Sequence, residues 1–385
     1  MERVFISSMG VITCVGTSLE EFWSGINTKK VDYNSIELPI ILPQNINPKV
    51  SRRMDRFSRM SLSVSKLVLE KLSLLDTEQI GTVFNTGFGP LQSNINFRNQ
   101  IETYGVDGVS PTLFTNTVFN AGLGHTCLHL GFKGPSTMLM GSNAVAYSYE
   151  LIKSNKCDQI LCCGVEEYIE ELDHSFQLIN STTKNLDSIC KPLDANRDGT
   201  RVTEGAGGLF IESESSLRSR SGKALCEILG YSNAITDEFR AIDGPNSDSN
   251  VFAQVMEMAL KNAGICKDHI DGIFMASGGG VYADPAEAKA IHQVFGGLGS
   301  EIPVTAIKGA IGESIGASLI LNVVSGILCL ENQTLPLTSG CENPEESLNL
   351  NVIYDHAKAG RYKYLLINGY DISGCLFSIV IGEGD

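Results

Sequence analysis

The chain has 385 residues, of which 43% are hydrophobic and 19% are charged, so disorder over most of the chain is excluded and a sizeable packed core is expected. Its 29 basic and 44 acidic residues give a net charge of −15. Because this charge repels phosphate backbones, general nucleic-acid binding is excluded as well.

The cysteines and the longest apolar stretch indicate where the protein resides. The 11 cysteines are scattered, with no Cys-x-x-Cys pair and no Cys/His cluster at zinc spacing. This pattern predicts reduced thiols in a cytoplasmic protein without a metal site. The most hydrophobic stretch lies between Glu313 and Glu331, contains Asn322 and is short for a membrane span. It therefore predicts a buried helix and no membrane association.

Short apolar runs alternate with longer amphipathic segments along the chain, which is typical of an α/β protein. In chain order, the pattern predicts a strand at 4–6, helices at 19–26 and 56–72, a strand at 82–85, a helix at 144–154, and strands at 160–163 and 208–211. It continues with a helix at 250–263, a strand at 272–275, helices at 285–294 and 316–330, and strands at 364–367 and 377–381.

A weak internal duplication suggests two related halves. The strand-like run that begins at Ile80 and ends in small residues echoes the run that begins at Ile270. The polar stretch 213–221 lies between the halves and is typical of a linker or surface loop. We therefore divide the chain into residues 1–220 and 221–385.

One long motif relates the sequence to a known family. The segment from Lys191 to Gly208 reads KPLDANRDGTRVTEGAGG and resembles the P-F-D-x-x-R-D-G-x-x-x-x-E-G-A-G run of the β-ketoacyl-acyl-carrier-protein synthases. Five further segments match family motifs in the right order; they begin at Val11, Val109, Gly131, Asp284 and Asn368. The resemblance implies a thiolase-like fold with five α/β/α/β/α layers, made of an N-terminal and a C-terminal thiolase-like half, and a large dimer interface.

The same resemblance shows that the family's catalytic groups are replaced. Active members use a cysteine at the N-terminus of a buried helix and two histidines. In this chain Asn143, beside Ser142, falls at the cysteine position, and Ser277 falls at the first histidine. The second histidine position, five residues after Lys308, holds Glu313. An amide, a hydroxyl and a carboxylate cannot replace a thiolate and two imidazoles, so we expect no condensation at this site.

Four functions are compatible with these replacements. The chain is most similar to the chain length factors of type II polyketide synthases, which lack the cysteine and pair with a catalytic ketosynthase to shape the channel for the growing chain. A second reading is a malonyl-carrier decarboxylase of the loading-ketosynthase kind. A third is a serine hydrolase or acyltransferase that uses Ser142, and a fourth is a purely structural ketosynthase partner.

The resemblance also implies the partners. We expect a heterodimer with an active ketosynthase, and contact with an acyl carrier protein that supplies phosphopantetheine; no cofactor or metal of the chain's own is implied. Because carrier proteins are acidic, the basic cluster Arg52, Arg53, Arg56 and Arg59 is a candidate dock, with residues 52, 56 and 59 predicted on one helix face. A solvated helix start paired with Asp55 explains the cluster equally well.

Three apolar residues are candidates for the channel and its gate. Met138 and Met140 precede the altered nucleophile turn, where bulky side chains could limit a channel, although core packing explains them equally well. Ile372 falls where active relatives carry a gating phenylalanine.

Overall fold

The computed structural model describes residues 2–29, 31, 38, 40, 42, 46, 48–73, 75–184, 189–237, 241–244 and 249–384. Its strands are β1 Val4–Ile12, β2 Gly81–Thr86, β3 Ser136–Met140, β4 Gln159–Glu166, β5 Gly205–Ser213, β6 Cys226–Ile235, β7 Gly272–Phe274, β8 Pro303–Thr305, β9 Thr334–Leu335, β10 Asn351–Val352, β11 Lys358–Ala359, β12 Tyr364–Tyr370 and β13 Cys375–Glu383. Its α-helices are α1 Leu19–Ile26, α2 Pro48–Ser51, α3 Arg56–Leu69, α4 Leu91–Tyr104, α5 Pro111–Thr115, α6 Ala121–Leu130, α7 Ala144–Lys153, α8 Glu170–Leu178, α9 Glu214–Ser219, α10 Ser249–Ala263, α11 Ala283–Phe295, α12 Lys308–Ile311 and α13 Ser318–Asn332.

Strand pairing shows that the two halves repeat one topology. In the first half, β1 pairs with β5 and β5 with β4 in antiparallel fashion, whereas β4 pairs with β2 and β2 with β3 in parallel. The second half has the same order, with β6, β13, β12, β7 and β8 in the corresponding places. Two residue pairs between β1 and β6 join the halves into one 11-stranded sheet.

The helices complete five layers. Helices α3 and α6 cover the outer face of the first half-sheet, and α10 covers the outer face of the second and packs against α11. Helices α7 and α13 lie between the half-sheets, because each contacts strands of both. The fold is therefore the thiolase-like α/β/α/β/α arrangement that the sequence predicts.

Helix α13 is the apolar stretch that the sequence places in the core. The helical run from Ile315 to Asn332 is, in the described part of the chain, the one segment long and apolar enough to cross a membrane, and 89% of it is buried inside the protein. Its burial between two half-sheets is that of a core helix. All 11 cysteines are free thiols, and most of them are buried.

Several predicted boundaries are wrong in a consistent way. Strands β1, β4, β5 and β13 extend beyond the predicted runs, and strands β3 and β6 were not predicted. The predicted linker at 213–221 contains helix α9, which Ser213 caps by accepting a hydrogen bond from Ser216 N–H. The sequence pattern does not predict this helix, because six mostly polar residues contain no apolar periodicity.

Candidate functional site

A tight turn joins β3 to α7 at the predicted nucleophile position. Gly141 has a φ of +98°, and a Cβ atom there would lie 2.3 Å from Asp371 Oδ2. The same carboxylate oxygen accepts a hydrogen bond from Ser142 N–H at 3.0 Å. Only glycine fits this position, since a side chain would meet both backbone strain and the Asp371 carboxylate.

The groups that follow Gly141 are an amide and a hydroxyl without a base. Asn143 occupies the residue before α7, and its buried Oδ1 has no hydrogen-bond partner among the described residues. The Ser142 hydroxyl is buried and donates to Ile315 O at 3.3 Å. All six histidines of the chain are described, and none lies on the β3–α7 turn or on the segments that carry Ile315 and Asp371; they are residues 125, 129, 174, 269, 292 and 356. The hydrogen bond of the Ser142 hydroxyl goes to a carbonyl oxygen, which cannot act as the base that a serine nucleophile needs.

Ser277, at the predicted position of the first histidine, belongs to a buried hydrogen-bond network. Its hydroxyl donates to Glu287 Oε2 at 2.9 Å, while Glu287 Oε1 accepts from Ala276 N–H and from Asn368 Nδ2. Burial raises the pKa of Glu287 to about 7, against the hydrogen bonds that lower it. Glu287 thus ties α11 to the ends of β7 and β12.

Glu313, at the predicted position of the second histidine, forms an ion pair with Lys308. The Lys308 Nζ lies 2.5 Å from Glu313 Oε2, and the two side chains are 6% and 3% exposed. The Nζ also lies 3.9 Å from the centre of the Tyr370 ring. Glu313 Oε1 accepts hydrogen bonds from Ile315 N–H and from the Ser318 hydroxyl. The carboxylate is held on both oxygens, as a buried charge requires.

An apolar cluster packs against this ion pair. Ile315 has a φ of +43°, a left-handed conformation that is rare for a β-branched residue. Its side chain packs in a small buried cluster that is separate from the main cores, together with Ile169, Leu172, Phe176, Val202 and Ile242. Ile372, at the predicted gate position, is partly buried against the same cluster.

Sequence reasoning missed Glu166, which organises the loops around the turn. This buried carboxylate accepts hydrogen bonds from the Thr86 hydroxyl and from the backbone N–H groups of Gly87, Phe88 and Gly316. Burial raises its pKa to about 7. The available signal was an acidic residue at the end of the apolar strand β4. Such a residue lies at the edge of the sheet where the carboxyl ends of the parallel strands β2 and β4 meet.

The motif that carries the resemblance is structural in this chain. Asp194 accepts hydrogen bonds from the backbone N–H groups of Asn196, Glu342 and Asn343. Arg197 donates to Gly280 O and is paired with Glu345. Within the part of the chain that the structure describes, no three His, Cys, Asp or Glu side chains are placed to hold a metal ion.

The arginine cluster does not form one helix face. Asp55 caps α3, so the helix begins at Arg56, and Arg52 and Arg53 lie in the turn before it. Arg56 is paired with the buried Glu204, and Arg59 donates its Nε to Met54 O. The prediction that residues 52, 56 and 59 share a face is therefore wrong, because the N-cap interrupts the helix.

Arg52 and Arg53 instead line a surface cleft. Both are exposed, and the cleft runs between them and polar side chains that include Asn96 of α4 and Asn116, the residue after α5. We call this feature the Arg cleft. It leaves two of the four predicted arginines available to a partner.

The two methionines lie on the edge strand β3. Met138 is partly buried against the core beneath α3 and α6. Met140, at the carboxyl end of the strand, is 67% exposed. Met138 therefore packs against the core, which is the alternative to a channel role, whereas Met140 faces solvent.

Two family models match the chain. The model of the β-ketoacyl synthase N-terminal domain matches residues 43–216, and that of the β-ketoacyl synthase C-terminal domain matches residues 225–342. Together they cover most of the sequence, including residues 143, 277 and 313. The chain belongs to the β-ketoacyl synthase family.

Full-length relatives and solved structures agree with this assignment. The chain is similar to the 3-oxoacyl-[acyl-carrier-protein] synthase 2 of Synechocystis sp., with 24% identity over 97% of this chain and 96% of the relative. The Mycobacterium tuberculosis protein of the same description is 26% identical over 99% and 97%. The chain shares its fold with one chain of the complex between a type II polyketide synthase acyl-carrier protein and its ketosynthase. It also shares its fold with one chain of the ishigamide ketosynthase/chain length factor. For both matches the TM-score is 0.87, the sequence identity is 20% and the coverage of each chain is 100%.

Proposed function

We propose that this chain is a non-condensing ketosynthase-like subunit of the chain-length-factor kind. It pairs with an active β-ketoacyl-carrier-protein synthase and forms part of the channel in which that partner elongates a polyketide or polyene chain from malonyl units. The observation that carries the proposal is the joint replacement at the site, where Asn143, Ser277 and Glu313 stand in place of a thiol and two imidazoles.

The contacts of these three residues support a structural role for the site. Ser277 and Glu313 are engaged in buried hydrogen bonds that brace the fold, so neither is available to bind a substrate. Condensation requires a nucleophile and donors that stabilise an enolate. A buried carboxylate at position 313 would repel that enolate instead.

The outer edge of β3 is the feature that supports our proposal of a ketosynthase partner. Among the described residues, β3 is the last strand of the sheet and pairs with β2 alone, so no described strand covers its other edge. Exposed apolar side chains occur on β3 and on the helices that precede and follow it in the chain: Met140 is 67% exposed, Leu128 of α6 is 74% exposed, and Tyr147 of α7 is also exposed. An open edge strand with apolar neighbours is a site for association or aggregation in a chain that stays alone. We call these three residues the β3 edge surface and assign it to the ketosynthase.

The Arg cleft supports our proposal that an acyl carrier protein is the second partner. Its two exposed guanidinium groups suit an acidic acyl carrier protein, whose phosphopantetheine arm would be the only prosthetic group involved. Free buried thiols suit the reducing cytoplasm, where we place the complex.

Native mass spectrometry of the chain alone and co-expressed with its candidate ketosynthase tests the proposal. We expect a one-to-one complex, and poor solubility of the chain alone because the β3 edge surface is then uncovered. A stable homodimer that ignores the ketosynthase would contradict the proposal.

The remaining alternatives differ in activity and product. A loading-type decarboxylase releases carbon dioxide from malonyl-carrier protein without a ketosynthase, and we expect no release from this chain. A purely structural partner stabilises the ketosynthase without affecting product length. We expect product length to change when this subunit is exchanged for a relative, and analysis of products by mass spectrometry decides between the two roles.

A further inference from the structure

The Lys308–Glu313 ion pair suggests a second property of the site. We propose that Glu313 is a built-in occupant of an anion-binding site formed by Lys308, Ile315 N–H and Ser318, and that removal of its carboxylate opens this site to a small carboxylate ion. The inference concerns the chain's own pocket and does not depend on the proposed partner.

The donors around the carboxylate come from outside residue 313 itself. Lys308 supplies an ammonium group at 2.5 Å, Ile315 a backbone N–H at 2.8 Å, and Ser318 a hydroxyl. The ammonium group contacts Oε2, while the amide and the hydroxyl donate to Oε1, so the three donors surround both oxygens of one carboxylate as in a protein anion site. Ser318 is also the first residue of the 15-residue helix α13, whose N-terminus favours negative charge.

These donors have structural supports that do not include the Glu313 side chain. Lys308 begins α12 and lies against the Tyr370 ring. The backbone at residue 313 is fixed by hydrogen bonds with Arg201 O and Thr203 N–H. Ser318 belongs to the buried core helix. The donors should therefore keep their positions when the side chain at 313 is shortened.

The size of the space that Glu313→Ala would leave determines which carboxylate ion fits the site. Changing Glu313 to alanine removes as many non-hydrogen atoms as acetate contains, including the whole carboxylate. Because Lys308 and Glu313 are almost completely buried, a longer acid would have to displace core atoms. We therefore expect acetate to bind better than propionate, and propionate better than malonate.

In the unmodified chain this site is always occupied. The Glu313 carboxylate is tethered within hydrogen-bonding distance, so its effective concentration exceeds that of any free carboxylate. A malonyl carboxylate could reach Lys308 only by displacing it. Glu313 thus acts as an autoinhibitory contact that would exclude a substrate anion.

The test is thermal unfolding of the full chain, alone or in its complex, in increasing acetate at constant ionic strength balanced with chloride. We expect Glu313→Ala to unfold at a lower temperature than the unmodified chain. Acetate should raise its Tm along a saturating curve, while the Tm of the unmodified chain stays constant. The matched control is Lys308→Met combined with Glu313→Ala, which lacks the cation and should not respond.

A second variant separates site occupancy from charge. Glu313→Gln removes the charge but keeps the volume filled, so it should be destabilised without a response to acetate. The inference is overturned when Glu313→Ala shows no acetate-dependent gain, or when the double variant or Glu313→Gln shows the same gain. If Glu313→Ala does not fold in chloride, the yield on refolding in acetate against chloride is the readout, and equal yields count against the inference. A failure here leaves native mass spectrometry of the ketosynthase complex unaffected, so the two proposals can fail separately.

Discussion

The β3–α7 turn and the β3 edge surface are neighbours in the sequence but have opposite characters. At the turn and in the pocket behind it, most polar groups are satisfied internally, through Asp371, Glu287, Glu166 and the Lys308–Glu313 pair. One residue before the turn, Met140 is exposed on an open strand. An internally hydrogen-bonded pocket beside an uncovered apolar surface is what we expect of the non-condensing partner subunit that we propose.

The largest effect should come from breaking the buried ion pair. Lys308→Met leaves the Glu313 carboxylate buried without its cation, and we expect a loss of about 3–5 kcal/mol in the free energy of unfolding, measured in urea. The exposed pair of Lys29 and Asp355 is the control, since Lys29→Met should cost about 1 kcal/mol or less. Equal losses for the two variants would contradict the view that the pocket is internally braced.

The buried carboxylates of the pocket should make stability depend on pH. Burial raises the pKa of Glu166 and of Glu287 from 4.5 to about 7, so the folded chain holds these protons more tightly than the unfolded chain. Stability should therefore fall as the pH rises from about 4.5 to about 7, by on the order of 2 kcal/mol for each group. Urea unfolding at pH 5 and pH 8 measures this.

Glu287→Gln provides the control for this pH dependence. The amide cannot ionise, so the variant should show a smaller difference in stability between the two pH values. A chain that is more stable at pH 8 than at pH 5 would exclude the raised pKa values.

A smaller effect is expected at the turn itself. Gly141→Ala forces a side chain into a left-handed conformation and against Asp371, and we expect a loss of about 2–3 kcal/mol in the free energy of unfolding. Gly124→Ala on α6 is matched, because a Cβ there meets no atom within 4 Å, and it should be neutral or slightly stabilising. A tolerated Gly141→Ala would mean that the turn is not held by these contacts.

The smallest effect should come from a change at the β3 edge surface. It should reduce the free energy of binding to the ketosynthase rather than the free energy of unfolding. Met140→Asp places a charge in the proposed interface, and we expect ketosynthase binding to weaken about thirtyfold, which corresponds to ~2 kcal/mol. The unfolding free energy of the chain should stay within about 0.5 kcal/mol. Met258→Asp, on the exposed side of α10, is the control for a surface charge, and a similar loss of binding there would argue against the assignment.

The family resemblance carried by the sequence motifs predicted the layers of the fold. Helix α1 has the predicted bounds because Ser18 and Glu21 form a capping box that is readable in the sequence. Strand β3 escaped prediction because it is short, and β6 because polar residues interrupt its apolar pattern. The motif order also predicts which residues replace the cysteine and histidines, because these positions are counted along the chain; that assignment stays a prediction.

Tertiary structure decided what those residues do. Glu287 and Glu166 receive their roles from donors far away in the sequence, such as Asn368 and Gly316, and no local pattern reports such contacts. The division of the arginine cluster into a paired Arg56 and an exposed Arg52 and Arg53 depends on the buried Glu204. The sequence determines which chemical groups are present and which local structure they favour. The free energy of a buried charge depends instead on the partners that the fold places beside it.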